Sequence, residues 1–520
     1  MREILTLQFG QQANYLGTHY WNTQESYFTY AGEDESPADH DVSFRPGIGA
    51  DGGETYSPRA LIYDLKGAFG TLRRENALYA LQQHEGPAAD GQWSGRTDSL
   101  RLPPIVPSPY QVALDAGLEA PVLSTQSVRF WSDYNRVFYH PRSIIQLNEY
   151  ELHSSLMPFE QWSTGEELFS ALDREHDLLD RDLRPFLEEC DQLQGIQVLS
   201  ATDNAWGGFA SKYLERINDE LGKGCRWIFG LSNTQRVSRE RQSQQIANTA
   251  QSLYALDSSA SLHIPVQNVP SWLPDYVSLD AASLWCTSAL QAAAIESVTL
   301  PTRLRTTQSG RATFENLEMT LNGDGNRRVT AFSFSAKAGT EAVGTESATN
   351  GDTRMTNGIA DDEEDHAREE DQLDIELFPH FSLPNTADRT RRPPRRPHVF
   401  SRVSSLRGAW RSATDEDYDD PGVRRRQANG PRSSTHKTNL RFPMLTSFAP
   451  VLRFQGDPQA LAIQASLYTF SDISNRLRMI GSVARRLPAI DEREALYDGL
   501  SAMADEYEEG WMSDSEEDED

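Results

Sequence analysis

The chain has 520 residues, 38% of them hydrophobic, enough to bury a full core and to form two packed units. No run of about 18 apolar residues occurs, which excludes a membrane-spanning helix. The net charge of −28 is concentrated in two tracts: residues 361–376 carry −9 and residues 505–520 carry −10, and the mildly acidic remainder argues against a nucleic-acid-binding fold.

Residues 1–21, MREILTLQFGQQANYLGTHYW, read as a strand, a tight loop and a helix. Leu5, Leu7 and Phe9 alternate with polar residues, and Tyr15, Leu16, His19 and Tyr20 recur at helical spacing. A helix N-terminus after a small-residue bend presents backbone N–H groups to an anion. Arg2 and Glu3 run directly into the strand, so neither a secretory leader nor an Arg-rich presequence is expected. Residues 31–57 read as a Gly-rich loop, Ala60–Asp64 as a buried strand, and 84–122 as a loop or inserted arm. Phe130 to Leu147 gathers apolar residues around Tyr139-His140-Pro141-Arg142.

A long amphipathic helix is expected from Gly165 to Cys190, with Leu168, Leu172, Leu179, Leu183 and Leu187 in one stripe and a kink at Pro185. Ile196–Leu199 reads as a central strand, Ser200–Gly208 as a loop, the next residues to Glu220 as a helix, and Trp227–Gly230 as another strand. Strands alternating with helices imply an α/β domain over 1–300 with a mainly parallel sheet. Ligands in such sheets sit at the C-terminal strand ends, here the loops after Phe9 and Leu199. The three cysteines, Cys190, Cys225 and Cys286, form no CxxC pair and have no His cluster nearby, so they read as small buried side chains in a reducing compartment and not as a zinc site.

Residues 336–440 hold an acidic block and then a basic one (Arg389, Arg391, Arg392, Arg395, Arg396, Arg402, Arg407, Arg411), with little periodic apolar content. They read as a disordered charged insert, either a solvated loop or a docking arm for an acidic partner or membrane surface. Residues 301–335 and 441–508 are expected to form a second, smaller α+β domain. It would include a strand within Phe442–Phe454 and C-terminal helices at Ser474–Arg486 and Asp491–Glu508, followed by an acidic tail at 509–520.

Four segments together resemble the tubulins: the MREI opening with Gly10, Gln11, Asn14, Gly17 and Trp21; Ser57-Pro58-Arg59-Ala60-Leu61-Ile62-Tyr63-Asp64-Leu65; Glu189-Cys190-Asp191-Gln192-Leu193-Gln194-Gly195-Ile196-Gln197; and Ala502–Glu509 with the acidic residues behind it. The resemblance implies a tubulin-like nucleotide-domain fold. It also marks departures. Where tubulins carry GGGTGSG, this chain has Asp203-Asn204-Ala205-Trp206-Gly207-Gly208-Phe209. Asp203 would face a triphosphate at a cost of roughly 3 kcal/mol per charge pair at ~5 Å, and Trp206 adds bulk. Gln12 and Ala13 replace Cys and Gly, Lys66 replaces an acid, and no GxxNxDxR-type segment follows the central helix. Asn248 falls near the base-contacting Asn of tubulins, although exposure on a helix surface is the expected account. Gly10, Gln11, Gln12, Asn14, Gly207 and Gly208 are therefore read as a vestigial nucleotide pocket. No cofactor and no GTP hydrolysis are expected, with GTP binding in a modified pocket as the alternative.

Phe130-Trp131-Ser132-Asp133-Tyr134-Asn135-Arg136-Val137-Phe138-Tyr139-His140-Pro141-Arg142-Ser143, with the MREI opening and the altered glycine loop, resembles the Misato family of tubulin-like proteins. That resemblance implies a non-enzymatic role in mitochondrial distribution and mitochondrial DNA inheritance, on the cytosolic face of mitochondria with a cytoplasmic pool. The implied partners are mitochondrial-surface proteins, tubulin or a chaperonin, with no direct nucleic-acid contact. The alternatives are a GTP-binding switch or polymerising GTPase, and a tubulin-assembly factor whose Ser513 and Ser515 are candidate phosphorylation sites. Trp131, Tyr134, Arg136, His140 and Arg142 are candidates for a partner-docking face, the competing reading being a packed structural segment.

Overall fold

The computed structural model describes residues 2–29, 35–48, 54–72, 105–235, 237–338, 375–379, 397–408, 431–456, 458–487 and 493–508. β1 (Glu3–Phe9) leads without a break into α1 (Gly10–Glu25). A hairpin, β2 (Phe44–Ile48) and β3 (Glu54–Pro58), precedes β4 (Ala60–Lys66). α2 (Pro109–Asp115) lies within the stretch expected to be a loop or arm; its Ser108 cap accepts the Gln111 N–H. β5 (Ile144–Glu151), α3 (Trp162–His176), α4 (Arg184–Glu188), β6 (Leu193–Ala201), α5 (Ala205–Leu221), β7 (Cys225–Ser232), α6 (Arg239–Leu256) and β8 (Leu262–Gln267) complete the first layer system. Six strands pair in the order β5-β4-β1-β6-β7-β8, every neighbouring pair parallel. This is the expected α/β architecture.

β1 is buried along its whole length, polar residues included, because helices cover both faces of the sheet. Leu5, Leu7 and Phe9 pack with Phe169 of α3 and Phe209 and Tyr213 of α5. On the other face Ile4, Ile62 and Phe229 pack with Leu16 and Tyr20 of α1. That second core continues into α7 (Leu284–Thr299), in which every residue from Trp285 onward is buried. A helix apolar on all sides must sit between layers. α7 lies between α1 and a second sheet.

That second sheet follows α8 (Phe314–Leu321) and comprises β9 (Ala331–Ala338), β10 (Ile375–Glu376), β11 (Val399–Arg407), β12 (Arg432–Thr438), β13 (Phe442–Pro443) and β14 (Ala460–Phe470). The order is β10-β9-β14-β11-β12, with β13 also on β14. α9 (Asp472–Ala484) and α10 (Arg493–Asp505) close the fold against α6.

Three expectations need correction. The helix drawn from Gly165 to Cys190 is broken: Asp177 turns left-handed at φ +46°, a wide π turn spans Leu179–Leu183, and Pro185 stands in the first turn of α4, where its missing N–H costs nothing. Its leucine stripe is still buried at Leu168, Leu172, Leu179 and Leu183. Residues 336–440 are not a single disordered insert, because β10, β11 and β12 come from within them; 339–374, 380–396 and 409–430 lie outside the described residues. β11 pairs in continuous register with β14 from Ser401 to Arg407, and its serines bond across the ladder, Ser404 to Ser466 at 2.9 Å. The strand expected in Phe442–Phe454 amounts to Phe442–Pro443, and the long central strand is Ala460–Phe470.

One buried charge cluster ties the two halves. Glu296 of α7 is fully buried and meets Arg407 of β11 and, at 3.2 Å, Arg303 just beyond α7. Its Oε1 also accepts from Gln24 at 2.9 Å and Tyr27 at 3.1 Å, both from the end of α1. Arg407 donates to Tyr27 Oη at 2.6 Å and to the Arg441 carbonyl at 3.0 Å. Removing one partner of such a group strands the other without water. Arg407→Met is therefore expected to cost about 3–5 kcal/mol, read as a lower midpoint in chemical denaturation, with the second sheet's signals lost first.

Candidate functional site

The C-terminal ends of β1, β4, β5 and β6 enclose a cleft of about 260 Å³. Gln11 and Gln12 line it from the first turn of α1, Asp64 from β4, and Glu151, His153 and Ser154 from the end of β5. Phe159, Glu160, Asn204 and Trp206 form the remaining wall. This is the crevice position in which parallel sheets bind ligands.

Gly10 enters α1 at φ +84°, a conformation side chains avoid, and a Cβ there would collide with the Trp206 indole. The indole thus packs against the backbone bend after β1. It is 5% exposed and meets Phe159 edge-to-face at 5.1 Å. Asn204 caps α5 by accepting the Trp206 N–H at 2.9 Å, which orients the residue.

Gly207 and Gly208 do not face the cleft, contrary to the sequence reading. A Cβ on Gly208 would strike the Trp162 carbonyl of α3, and one on Gly207 would strike Ser252 of α6. Gly165 of α3 meets the Ala205 carbonyl in the same way. Gly165 and Gly208 let α3 and α5 cross at backbone contact, and Gly207 leaves room for the Ser252 hydroxyl of α6. Asp203 also differs from expectation. Its carboxylate accepts the Asn233 N–H at 2.7 Å, it is 5% exposed, and burial pushes its pKa up to about 6. Asn248 is buried, not on a helix surface: its amide donates to the carbonyls of Asp203 (2.9 Å) and Glu160 (2.8 Å) and accepts the Trp162 N–H at 3.0 Å. It holds the loop after β6 in place.

The carboxylates facing the cleft are Asp64, Glu151 and Glu160, and among its described lining residues there is no Lys or Arg. Lys66 is exposed at the end of β4, outside the lining. Asp64 is fully buried; it accepts from Asn14 Nδ2 at 2.7 Å and from the Leu65 N–H at 2.9 Å. Burial raises its pKa to about 7 against the pull of those two bonds. Asn14 therefore serves as a partner of Asp64, behind the cleft wall. The position of Asp64 was legible as the end of a buried strand; Glu151, Phe159 and Glu160 gave no sequence signal.

Two family models match the chain: a Misato Segment II tubulin-like domain over residues 2–116 and a tubulin domain over residues 120–304. The protein dml1 of Aspergillus niger is 46% identical over 527 residues, covering all of both chains. The DML1 proteins of Phaeosphaeria nodorum and Neurospora crassa are each 45% identical, again over the full length of both chains. The chain belongs to the Misato/DML1 family of tubulin-like proteins.

The segment that carries the Misato resemblance splits into two environments. Trp131 and Tyr134 have no exposed surface, so they form no docking face. Tyr134 donates to the Tyr15 carbonyl at 2.8 Å and packs at a tilt against His19 of α1; Trp131 packs on Phe69 and Tyr139. Arg136 pairs with Glu25 at 3.3 Å. His140 and Arg142 lie apart from these, in a turn at the start of β5. In this family member the aromatic half of the segment is core, and only the basic half reaches the surface.

Two outcomes follow from this geometry. Gly208→Ala should destabilise the fold by about 1–3 kcal/mol, through forced separation of α3 and α5, measured by denaturant titration. Asp64 binds its proton more tightly in the folded state than the ordinary 3.8 of an unfolded Asp. Folded protein thus holds more protons between about pH 4 and 7, and this residue's contribution to stability falls as pH rises through that window. Asp64→Asn should gain stability relative to wild type from pH 4 to 7 in paired thermal melts.

Proposed function

We propose that this chain is a non-enzymatic tubulin-like scaffold with a vestigial nucleotide cleft. It acts through protein partners in the distribution of mitochondria and the inheritance of mitochondrial DNA. The observation that carries the first half is the Trp206 indole packed against Gly10, at the bend whose backbone would otherwise approach a phosphate. Glu151 and Glu160 line the same cleft and its described lining offers no Lys or Arg to a polyphosphate, while Glu160 is paired outward with Arg241 at 2.6 Å. No hydrolytic role is assigned to any side chain. Family membership supports the second half, and with it a location on the cytosolic face of mitochondria and a cytoplasmic pool. Mitochondrial-surface proteins are the first class of partner, with tubulin or a chaperonin as the other two.

The test is the nucleotide content of purified protein, released by denaturation and separated by ion exchange, followed by titration with labelled GTP. The expected result is no bound nucleotide and no saturation below millimolar GTP. Stoichiometric guanine nucleotide, or micromolar binding, would replace the scaffold with a switch. In cells lacking the protein, Glu151→Trp, which closes the cleft from an exposed position, should restore mitochondrial distribution as fully as wild type.

A further inference from the structure

At the far end of β4 from the cleft, basic residues converge from separate segments. Arg59 directly precedes β4, and its backbone is clamped on both sides: its N–H donates to the Ser43 carbonyl at 2.8 Å, and its carbonyl accepts the Thr6 N–H at 3.0 Å. The residue is only 5% exposed, yet Nε and Nη1 of its guanidinium have no hydrogen-bond partner among the described residues. Arg45 of β2 lies within electrostatic reach of Arg59 and Arg142. It stands over the Phe186 ring at 5.5 Å and pairs with Glu189. His140 meets the same ring edge-on at 6.4 Å, and its Nδ1 accepts the Arg142 N–H at 3.2 Å. Burial, with Arg45 and Arg142 nearby, holds His140 down at about 4, so it is neutral at ordinary pH and keeps its one proton on Nε2, a donor. The Glu3 carboxylate, which with Arg59 lies near Cys190, accepts the Gln192 N–H at 3.0 Å.

A guanidinium out of water with two unused donors is costly unless an anion meets it. We propose that Arg59, Arg45, His140 and Arg142 form an oxyanion site for a phosphoryl group, free or carried on a larger molecule. Glu189 pairs with Arg45, so Arg59 and Arg142 are the guanidinium groups left to meet the anion, and their forked N–H donors match the oxygens of a phosphoryl group. Phe186 fixes the plane of Arg45, and the turn at Pro141–Ser143 sets Arg142 at the rim, where it remains exposed. The site is separate from the cleft, because Arg59 directly precedes β4 and Asp64 lies toward the strand's other end.

The full chain is titrated by calorimetry with inorganic phosphate, O-phosphoserine and acetate, and melted in phosphate or chloride at matched ionic strength. Saturable binding of phosphate or phosphoserine, and a raised melting midpoint, are expected. Tighter binding of phosphoserine assigns the group to a larger ligand, tighter binding of phosphate to the free ion. Arg142→Ala, an exposed position, should weaken binding about tenfold. Arg59→Leu should abolish it while melting no lower than wild type in chloride, because it removes an unpaired buried charge. If Arg59→Leu fails to fold, Arg142→Ala decides alone. The proposal fails if phosphate binding does not saturate, if acetate binds equally well, or if phosphate stabilises wild type and Arg142→Ala alike, as general salting does.

Discussion

Glu296 is a carboxylate with no exposed surface, and the arrangement of the molecule around it follows from that constraint. An ionised acid can stay in such a place only if every lone pair is met. The groups that meet it come from three parts of the chain: Gln24 in the last turn of α1 with Tyr27 just beyond it, Arg303 after α7, and Arg407 at the end of β11. α1 belongs to the parallel-sheet layers, and β11 to the second sheet. The cluster therefore fixes how the two sheets sit on the central helix, in a way apolar packing alone would leave adjustable. Arg407 also donates to backbone carbonyls at Leu440 and Arg441, which fastens the chain entering β13 to the same point.

With the layers held, the cleft at the strand ends has a defined shape, and its chemistry is set by what surrounds it. The bend at Gly10 is left-handed, and the absence of a Cβ there leaves room against its backbone. The indole of Trp206 takes up that space. Glycines that suggest a phosphate loop serve a different purpose here, because α3 crosses α5 at backbone contact through Gly165 and Gly208. The opposite end of the sheet differs in composition: the described cleft lining has no Lys or Arg, whereas Arg45 stands over Phe186 with Arg59 and Arg142 within electrostatic reach of it.

The alternation of Leu5, Leu7 and Phe9, the strand at Ile196–Leu199 and the tubulin-like signatures determined the parallel α/β layer and the family. These are local patterns, repeated in chain order, and short-range geometry suffices to read them. The position of the cleft was legible for the same reason, since strand ends follow from strands. Gln11 and Gln12 do line it, and Trp206 does stand where bulk was expected. The break at Asp177 was not legible, because a leucine stripe continues across it and periodicity alone cannot register one left-handed residue.

Only the tertiary structure decided which way each polar group faces. Asp203 turns to the Asn233 amide, Asn248 turns inward to three backbone groups, and Gly207 and Gly208 point at neighbouring helices. Trp131 and Tyr134 are core residues, although their composition suits an interface equally well. Arg407 lay in a segment whose charge suggested solvent, and its burial depends on Glu296, 111 positions earlier in the chain. A residue's type sets which partners it can accept; which partner it receives depends on contacts between segments far apart in sequence. Residues 1–21 carry the fold in their own spacing, whereas Arg59, Asp64 and Glu296 acquire their electrostatic roles only when several segments close around them.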